Sequence, residues 1–357
     1  MSSKTDRLLS SVDGSLQVAY KDVRQVCITG SLYALLQYLL LFDEDTVKRH
    51  TCYFLGYAVG DKVSCNLPAV SVGIKQTRSF FSPLRWIEKI WLQIVKNYKY
   101  PFLKTAKIYA LDAGFAAPLI GKRNYSLLSD GPNCMTMNMQ ENSAEYLRQI
   151  HKQHSFGGRL EGLLYGSVAI HTYGNNPQCT AFYMTEKNNS FVYGERPVYI
   201  ASLQEMWDAA TENKRSFVRR VFNVSEEDIA LLNGRKVMFL TQPLILDCHL
   251  TEEEYVAILR EVFAHYDLAQ VILKLHPRDN FDYKRYFPDI LVYNKAVNMQ
   301  LLVLLGANVE RAVTICSSSV NAFPNNVEVD WFGPAIHPKL SAFYGDNIFP
   351  ARPYNQL

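Results

Sequence analysis

The chain has 357 residues, 48% hydrophobic and 20% charged, with 22 tyrosines and a formal net charge of +3. That length allows two ordinary domains, each with its own core, and that charge is too small to argue for nucleic acid as a partner. Seven cysteines, an odd number with no Cys-x-x-Cys pair, read as reduced thiols rather than a disulfide framework or a zinc site.

Met1 to Asp22 is polar and serine-rich without an apolar core, so no signal peptide is read there, and the chain is expected to be cytoplasmic. Gln25-Val-Cys-Ile-Thr-Gly30 is a short apolar strand that breaks at a glycine, and Ser31 then caps a leucine-rich helix over Leu32–Phe42. That helix is about half of what a bilayer span needs. Strand, glycine turn and helix together begin a nucleotide-binding-like α/β unit, with Gly30 as a candidate donor-binding residue. Asp43-Glu-Asp45 matches the Asp-x-Asp spacing that holds a divalent ion beside a nucleotide sugar, but reads more simply as a solvated turn. Further strands are predicted at Thr51–Ala58, Ala69–Val72, Lys107–Leu111 and Tyr125–Leu128, with a helix over Pro83–Tyr98, an alternation that gives a doubly wound sheet. The aromatic and basic residues between Phe80 and Tyr100 fit either an anionic membrane surface or an ordinary amphipathic core helix.

Ser129-Asp130-Gly131 directly follows the apolar Tyr125–Leu128. A strand-end carboxylate beside a flexible glycine can approach a hydroxyl as general base; the same dipeptide also makes a plain Asx turn. Beyond it, Glu141–His154 reads as a helix, Gly157-Gly158 and Gly162 break the stretch after it, Pro197–Ile200 reads as a strand and Gln204–Val224 as one helix. His151 and His154 stand three apart with no third metal ligand evident. Asn233-Gly234, a turn dipeptide before a fresh strand, sets the expected domain boundary. Residues 1–232 form an acceptor-side α/β domain, 233–335 a donor-binding domain, and 336–357 a tail packing back on the first domain.

The second half opens with a strand at Lys236–Leu240 ending in Thr241-Gln242-Pro243. Thr251 and Glu254 form a capping box on a helix with one apolar face. Val271-Ile-Leu-Lys-Leu-His-Pro-Arg-Asp279 reads as a buried parallel strand stopped by Pro277, which supplies no ladder donor. It delivers His276, flanked by Lys274 and Arg278, to the carboxyl end of a sheet, where ligands bind in open α/β folds. A strand at Ile290–Tyr293, a helix near Val297–Leu305 and a strand at Ala312–Cys316 come next, the last ending in Ser317-Ser318-Ser319. Serine hydroxyls and amides at such a turn can cradle a phosphate without a metal, although one serine is expected simply to cap a helix. Two such α/β units facing each other across a cleft make the GT-B arrangement.

Asp130-Gly131, His276-Pro277 and Ser317-Ser318-Ser319, in this order and at these separations, resemble the acidic-Gly, His-Pro and Ser-rich motifs of bacterial sialyltransferases. The likeness is to glycosyltransferase family 52, the lipooligosaccharide and capsule sialyltransferases, and extends to Tyr109-Ala-Leu-Asp-Ala-Gly-Phe115 and Pro118-Leu-Ile-Gly121. Ser129 stands where that family usually has an acid, and Val297-Asn-Met-Gln300 lacks the Pro and Glu found there. The resemblance implies an inverting transfer from a CMP-activated sugar to a glycan or lipid-linked oligosaccharide, with no metal and no cofactor. His276 would donate to the leaving phosphate, Ser317, Ser318 and Ser319 would hold its oxygens, and Lys274 or Arg278 would add charge. Thr241 and Pro277 complete the donor residues. Asp130 is the first candidate base and Asp247, beyond the Thr241-Gln242-Pro243 loop, the second. A homodimer and a peripheral contact with the inner membrane are further expectations.

Overall fold

The computed structural model describes residues 7–63, 66–72, 83–113, 115–131, 144–187, 193–345, 350 and 352–356. The chain divides into two compact units, Met1–Asn223 and Val224–Leu357.

The first unit opens with an antiparallel hairpin, β1 (Leu8–Ser10) and β2 (Gln17–Ala19), inside the segment that reads as merely polar in sequence. Its main sheet is entirely parallel: β3 (Gln25–Thr29), β4 (Thr51–Gly56), β5 (Ala69–Val72), β6 (Lys107–Ala110), β7 (Tyr125–Leu128), β8 (Cys179–Met184) and β9 (Val198–Ile200), in the order β5-β4-β3-β6-β7-β8-β9. Val26, Cys27 and Ile28 are wholly buried, as expected of a parallel strand covered on both faces. Helix α1 (Leu32–Leu41) starts at Ser31, whose hydroxyl accepts from the amides of Tyr33 and Ala34. Helices α2 (Glu44–Arg49), α3 (Tyr57–Val63), α4 (Pro83–Lys99), α5 (Ala116–Ile120), α6 (Ala144–His154) and α7 (Phe156–Tyr165) connect the strands up to β8. Gly158 and Gly162 lie inside α7 and do not break it. A Cβ on Gly158 would come within 1.8 Å of the Lys152 carbonyl, and one on Gly162 within 2.9 Å of Ile170 Cδ1, so close packing demands both glycines.

The expected single helix over 204–224 is two, α8 (Leu203–Asp208) and α9 (Glu212–Val221). Ser202 forms a capping box with Glu205, and Thr211 starts the second helix by accepting from the Lys214 amide. Lys214 turns inward and donates to the Leu40 and Phe42 carbonyls, 2.5 Å each, at the C-terminus of α1.

The second unit carries β10 (Val237–Leu240), β11 (Val271–Lys274), β12 (Leu291–Tyr293), β13 (Arg311–Thr314), β14 (Glu328–Trp331) and β15 (Asn355–Gln356), all parallel, in the order β12-β11-β10-β13-β14-β15. Numbered within the unit this is 3-2-1-4-5-6, the doubly wound dinucleotide-fold order, with its switch point between β10 and β13. Helices α10 (Glu226–Asn233), α11 (Leu244–Cys248), α12 (Glu252–Phe263), α13 (Tyr283–Tyr286), α14 (Met299–Leu304) and α15 (Pro338–Tyr344) complete it.

The division at 223/224 precedes the boundary expected at 232/233, because α10 is fastened to the second unit. Asp228 pairs with Lys295 at 2.5 Å, Asn233 Nδ2 donates to the Gly306 carbonyl at 3.0 Å, and the Asn308 amide donates to Asn233 Oδ1 at 2.7 Å. The segment after 335 extends the second sheet. Arg352 donates to the carbonyls of Phe323 and Val327, and β15 pairs with β14.

Asp112, one residue beyond Leu111 at the end of β6, is fully buried and accepts from Tyr125 Oη, from the Tyr173 amide at 2.6 Å and from the Gly174 amide at 2.8 Å. Burial pushes its carboxyl up to about 6 against these hydrogen bonds. Asp112→Ala would orphan three donors at once and should cost about 3 kcal/mol or more, read as a fall in the denaturation midpoint of the first unit. Because the folded carboxyl holds its proton to higher pH than the unfolded one, this group's contribution to stability falls as pH rises from about 4 to about 6. The stability difference between wild type and Asp112→Asn should shrink across that window.

Candidate active site

The end of β10 organises the second unit's site. Leu240 is in register with Lys274 of β11 on one side and Thr314 of β13 on the other. The loops after all three strands therefore leave the sheet from one row, with β11 and β13 roughly 10 Å apart, two strand spacings. Thr241 Oγ1 accepts from the His276 amide at 2.9 Å, and Thr314 Oγ1 donates to the Leu240 carbonyl at 3.0 Å while accepting from the Ser317 amide at 3.0 Å. Two consecutive residues at the end of β10 thus hold the His-Pro loop and the serine turn. Both threonines are buried, and the bonds of Thr314 are wholly shielded from water.

His276 Nδ1 accepts from the Arg278 amide at 3.1 Å. An imidazole accepting at Nδ1 carries its proton at Nε2, so the ring is set as a donor through Nε2. Pro277 is exposed and shapes the turn that makes this bond possible. Ser317 is the capping serine: it is buried, and its hydroxyl accepts from the Ser319 amide at 3.3 Å at the start of the 3₁₀ turn Ser318–Ala322. Ser318 is exposed and Ser319 half-buried, so these two are presented at the surface of the turn.

Arg278 forms a two-pronged pair with Asp247 of α11, 2.8 Å on each side. The two-pronged geometry fixes the orientation of both side chains, so Asp247 aims Arg278. Tyr344 of α15 closes the group. Burial pushes its phenol up strongly, and Cys248, Cys316, Asp247 and Arg278 all act on it electrostatically. One side chain therefore senses α11, the His-Pro-Arg loop and the segment leading to the serine turn. Nothing local in the sequence marks it, since it lies 66 positions beyond Arg278.

Lys274 ends β11. It is buried, donates back to the Leu275 carbonyl at 2.9 Å, and lies 5.8 Å from the centre of the Tyr293 ring. Around it the carboxyl edge holds buried polar atoms with no protein partner: Gln242 Oε1 after β10, Tyr293 Oη at the end of β12 and Trp331 Nε1 at the end of β14. Buried groups of this kind are rare and costly.

The remaining candidates lie in the first unit. Asp130 follows β7 on a turn in which Gly131 takes φ +100°, a conformation that favours glycine. Ser129 is buried; its amide donates to Gln37 Oε1 at 2.8 Å and its hydroxyl accepts from the Gly131 amide at 3.3 Å. A second acid at this position would be stripped of water. The carboxylate that sequence reading misses is Glu186, just past β8, which neighbours β7. Glu186 and Asp130 both act on Tyr33, whose phenol is pushed up to about 12, chiefly by burial, and donates to Thr185 Oγ1 at 2.8 Å. Desolvation raises the Glu186 carboxyl as well. Gly30 has a packing reason: a Cβ there would come within 3.2 Å of Phe115 Cε1, and one on the neighbouring Gly56 within 2.7 Å of that atom. Gly30 therefore has a close-packing role beside Phe115.

The Asp43-Glu-Asp45 motif is occupied by local duties. Asp43 caps α2 through the Thr46 amide and hydroxyl, Glu44 pairs with Lys48, and Asp45 pairs with Arg49 and His50. Among the described residues no group of three or more His, Cys, Asp or Glu is placed to hold a metal ion.

Two doubly wound parallel units, each with its ligand-type residues at the carboxyl ends of the strands, are the architecture of the GT-B class. The chain belongs to glycosyltransferase family 52, whose sequence profile matches residues 95–340. It is 28% identical over 178 residues to an uncharacterised protein of Haemophilus influenzae, a match covering 50% of this chain and 58% of that protein. Its fold is similar to that of a 2,6-sialyltransferase from Photobacterium sp., solved with CMP and lactose, at a TM-score of 0.51 and 11% identity, covering 86% of this chain and 71% of that one. A sialyltransferase from Photobacterium damsela gives a TM-score of 0.46 at 11% identity, covering 90% of this chain and 79% of that one.

Thr241→Val keeps the shape and removes the acceptor for the His276 amide. It should lower turnover by about tenfold through loss of orientation while changing the unfolding midpoint little, checked by kcat and denaturation on the same sample.

Proposed function

We propose that the protein transfers sialic acid from CMP-sialic acid to a glycan acceptor, with inversion and without a metal ion. The observation that carries this is the pairing of an Nε2-protonated imidazole with a serine turn on either side of β10, both fixed by threonine hydroxyls. Such a site suits an anionic leaving group. Family membership supports glycosyl transfer, and the CMP and lactose bound to the Photobacterium enzyme support the choice of donor and acceptor classes.

In the reaction the bond between the anomeric carbon and the CMP phosphate oxygen breaks, and its electron pair stays on that oxygen. His276 donates through Nε2 to the departing phosphate, Ser318 and Ser319 hydrogen-bond its oxygens, and Arg278, aimed by Asp247, supplies positive charge. The acceptor hydroxyl attacks from the opposite face and gives its proton to Asp130. Glu186 and Tyr33 belong to this acceptor side, where they hydrogen-bond sugar hydroxyls. The acceptor is a lipid-linked or capsular oligosaccharide on the cytoplasmic side of an inner membrane.

His276→Ala should reduce turnover by about two to four orders of magnitude in a protein that still folds. Near-normal turnover in that variant would remove the imidazole from the mechanism. Asp130→Asn should abolish transfer to the acceptor yet retain CMP binding by calorimetry, which separates the base from the donor site. Activity should persist undiminished in EDTA; strict dependence on Mg²⁺ or Mn²⁺ would contradict the scheme. A hydrolysis screen of CMP-sialic acid, CMP-Kdo, UDP-hexoses and GDP-sugars decides the donor.

A further inference from the structure

The loop that carries His276 is anchored at both ends. At its start the His276 amide reaches Thr241 Oγ1. At its far end His276, Pro277, Arg278 and Asp279 close a four-residue turn, in which the Asp279 amide donates to the His276 carbonyl at 2.9 Å. Proline suits the second position of such a turn because its fixed φ is the one required there. The same turn brings the Arg278 amide to His276 Nδ1, so the ring's proton placement depends on the turn keeping its shape. Pro277 and Arg278 are exposed. A turn open to water on that side needs a hold from within, since exposed backbone bonds are the first to open.

Asp279 supplies that hold. Its side chain is half-buried and both oxygens accept from within the protein, Oδ1 from the Phe281 amide at 3.2 Å and Oδ2 from Tyr283 Oη at 2.7 Å. Tyr283 Oη in turn stands 2.7 Å from Tyr255 Oη. The Tyr283 proton goes to the carboxylate, so Tyr255 is the donor of this second bond and both hydroxyls point along one chain toward Asp279. Both tyrosines are buried, and Phe281 lies edge-on to them, 5.1 Å from the Tyr255 ring and 4.9 Å from that of Tyr283. Burial pushes both phenols up and the Asp279 charge adds to it, so each keeps the proton it donates. Tyr255 belongs to the buried face of α12, beside Ile258 and Leu259. An aspartate that made only a local Asx turn would need the Phe281 amide and nothing more. Two buried hydroxyls aimed at the other oxygen tie the turn to the core.

We propose that Asp279 is a positioning residue for His276: through Tyr283 and Tyr255 it holds the His-Pro turn in the shape that keeps Nδ1 occupied and the proton on Nε2. The inference rests on the role given to His276 in the transfer above. Asp279→Ala should lower kcat by about tenfold or more while the KM for CMP-sialic acid changes by less than about twofold, because orientation is lost and donor binding is not. Asp279→Asn keeps an oxygen for Tyr283 and should recover most of that loss. Tyr283→Phe should lower kcat as well, and adding it to Asp279→Ala should cost little more, since both remove the same link. A second readout needs no substrate. Nitrogen NMR of the full chain with isotope-labelled histidine, the His276 signals identified by their disappearance in His276→Ala, should show the Nε2–H tautomer in the wild type. In Asp279→Ala it should show a mixture with the Nδ1–H form, at an unfolding midpoint close to that of the wild type. Unchanged kcat in folded Asp279→Ala, or an unchanged tautomer, would overturn the inference. So would a raised KM with kcat preserved, which would make Asp279 a donor contact, and so would equal losses in Asp279→Ala and Asp279→Asn, which would trace the effect to charge. A tautomer that shifts as expected in a protein whose wild type never turns over CMP-sialic acid would leave the positioning standing and sink the transferase reading instead.

Discussion

Thr241 and Thr314 are the constraint on which the site rests. A sheet brings strand ends into one row, but the loops beyond it are only as ordered as their bonds to that row. Here the hydroxyls lock the His276 amide and the Ser317 amide to adjacent residues at the end of β10, the bonds of Thr314 fully buried and that of Thr241 partly so. The His276 tautomer then derives from one more local bond, the Arg278 amide to Nδ1. The same loop turns Arg278 toward Asp247, so ring, guanidinium and serine turn all owe their placement to one strand end. A site assembled this way is organised before any ligand arrives, which is what stabilising a developing charge requires.

Much of this is legible in the sequence because parallel strands buried on both faces are continuous apolar runs. Val26–Ile28, Met238–Leu240 and Val271–Leu273 announce themselves, and the residues directly after them are the strand-end residues by construction. What is lost is anything decided by side-chain direction or distant packing. Lys274 sits in such a run, and only the structure shows its ammonium folded under the loop against Tyr293. β14 escapes notice because Glu328-Val-Asp-Trp331 looks polar, yet Asp330 is wholly buried and bound by Arg311 at 2.8 Å and by Tyr266 Oη at 2.7 Å. The glycines of α7 read as breakers, although tight packing is their purpose. β8 and with it Glu186 escape for a related reason: Cys-Thr-Ala-Phe-Tyr-Met alternates weakly and comes after a loop rich in Gly, Asn and Pro.

The departure at Ser129 has a structural answer. Family resemblance leads one to expect two acids before Gly131, but position 129 is buried beneath the turn, where the hydroxyl and amide secure the backbone that presents Asp130. A hydroxyl can make those neutral bonds at little cost, whereas a buried carboxylate would have to be desolvated. The second negative charge near Asp130 comes instead from Glu186, beyond the neighbouring strand, and the two meet electrostatically at the Tyr33 phenol.

The two units share a strand order but not a chemistry. The carboxyl edge of the first carries Asp130, Glu186, Tyr33 and Thr185, groups that accept protons and hydrogen-bond neutral hydroxyls. The corresponding edge of the second carries His276, Arg278 and Lys274 with a row of serines, groups that donate to and neutralise an anion. Duplicated doubly wound sheets place ligand-facing residues at the same end in each copy, so composition at that end is what differentiates them. An edge of acceptors suits an uncharged nucleophile that must lose a proton, and an edge of donors suits a phosphate that must gain charge. Glycosyl transfer from a nucleotide sugar needs one of each.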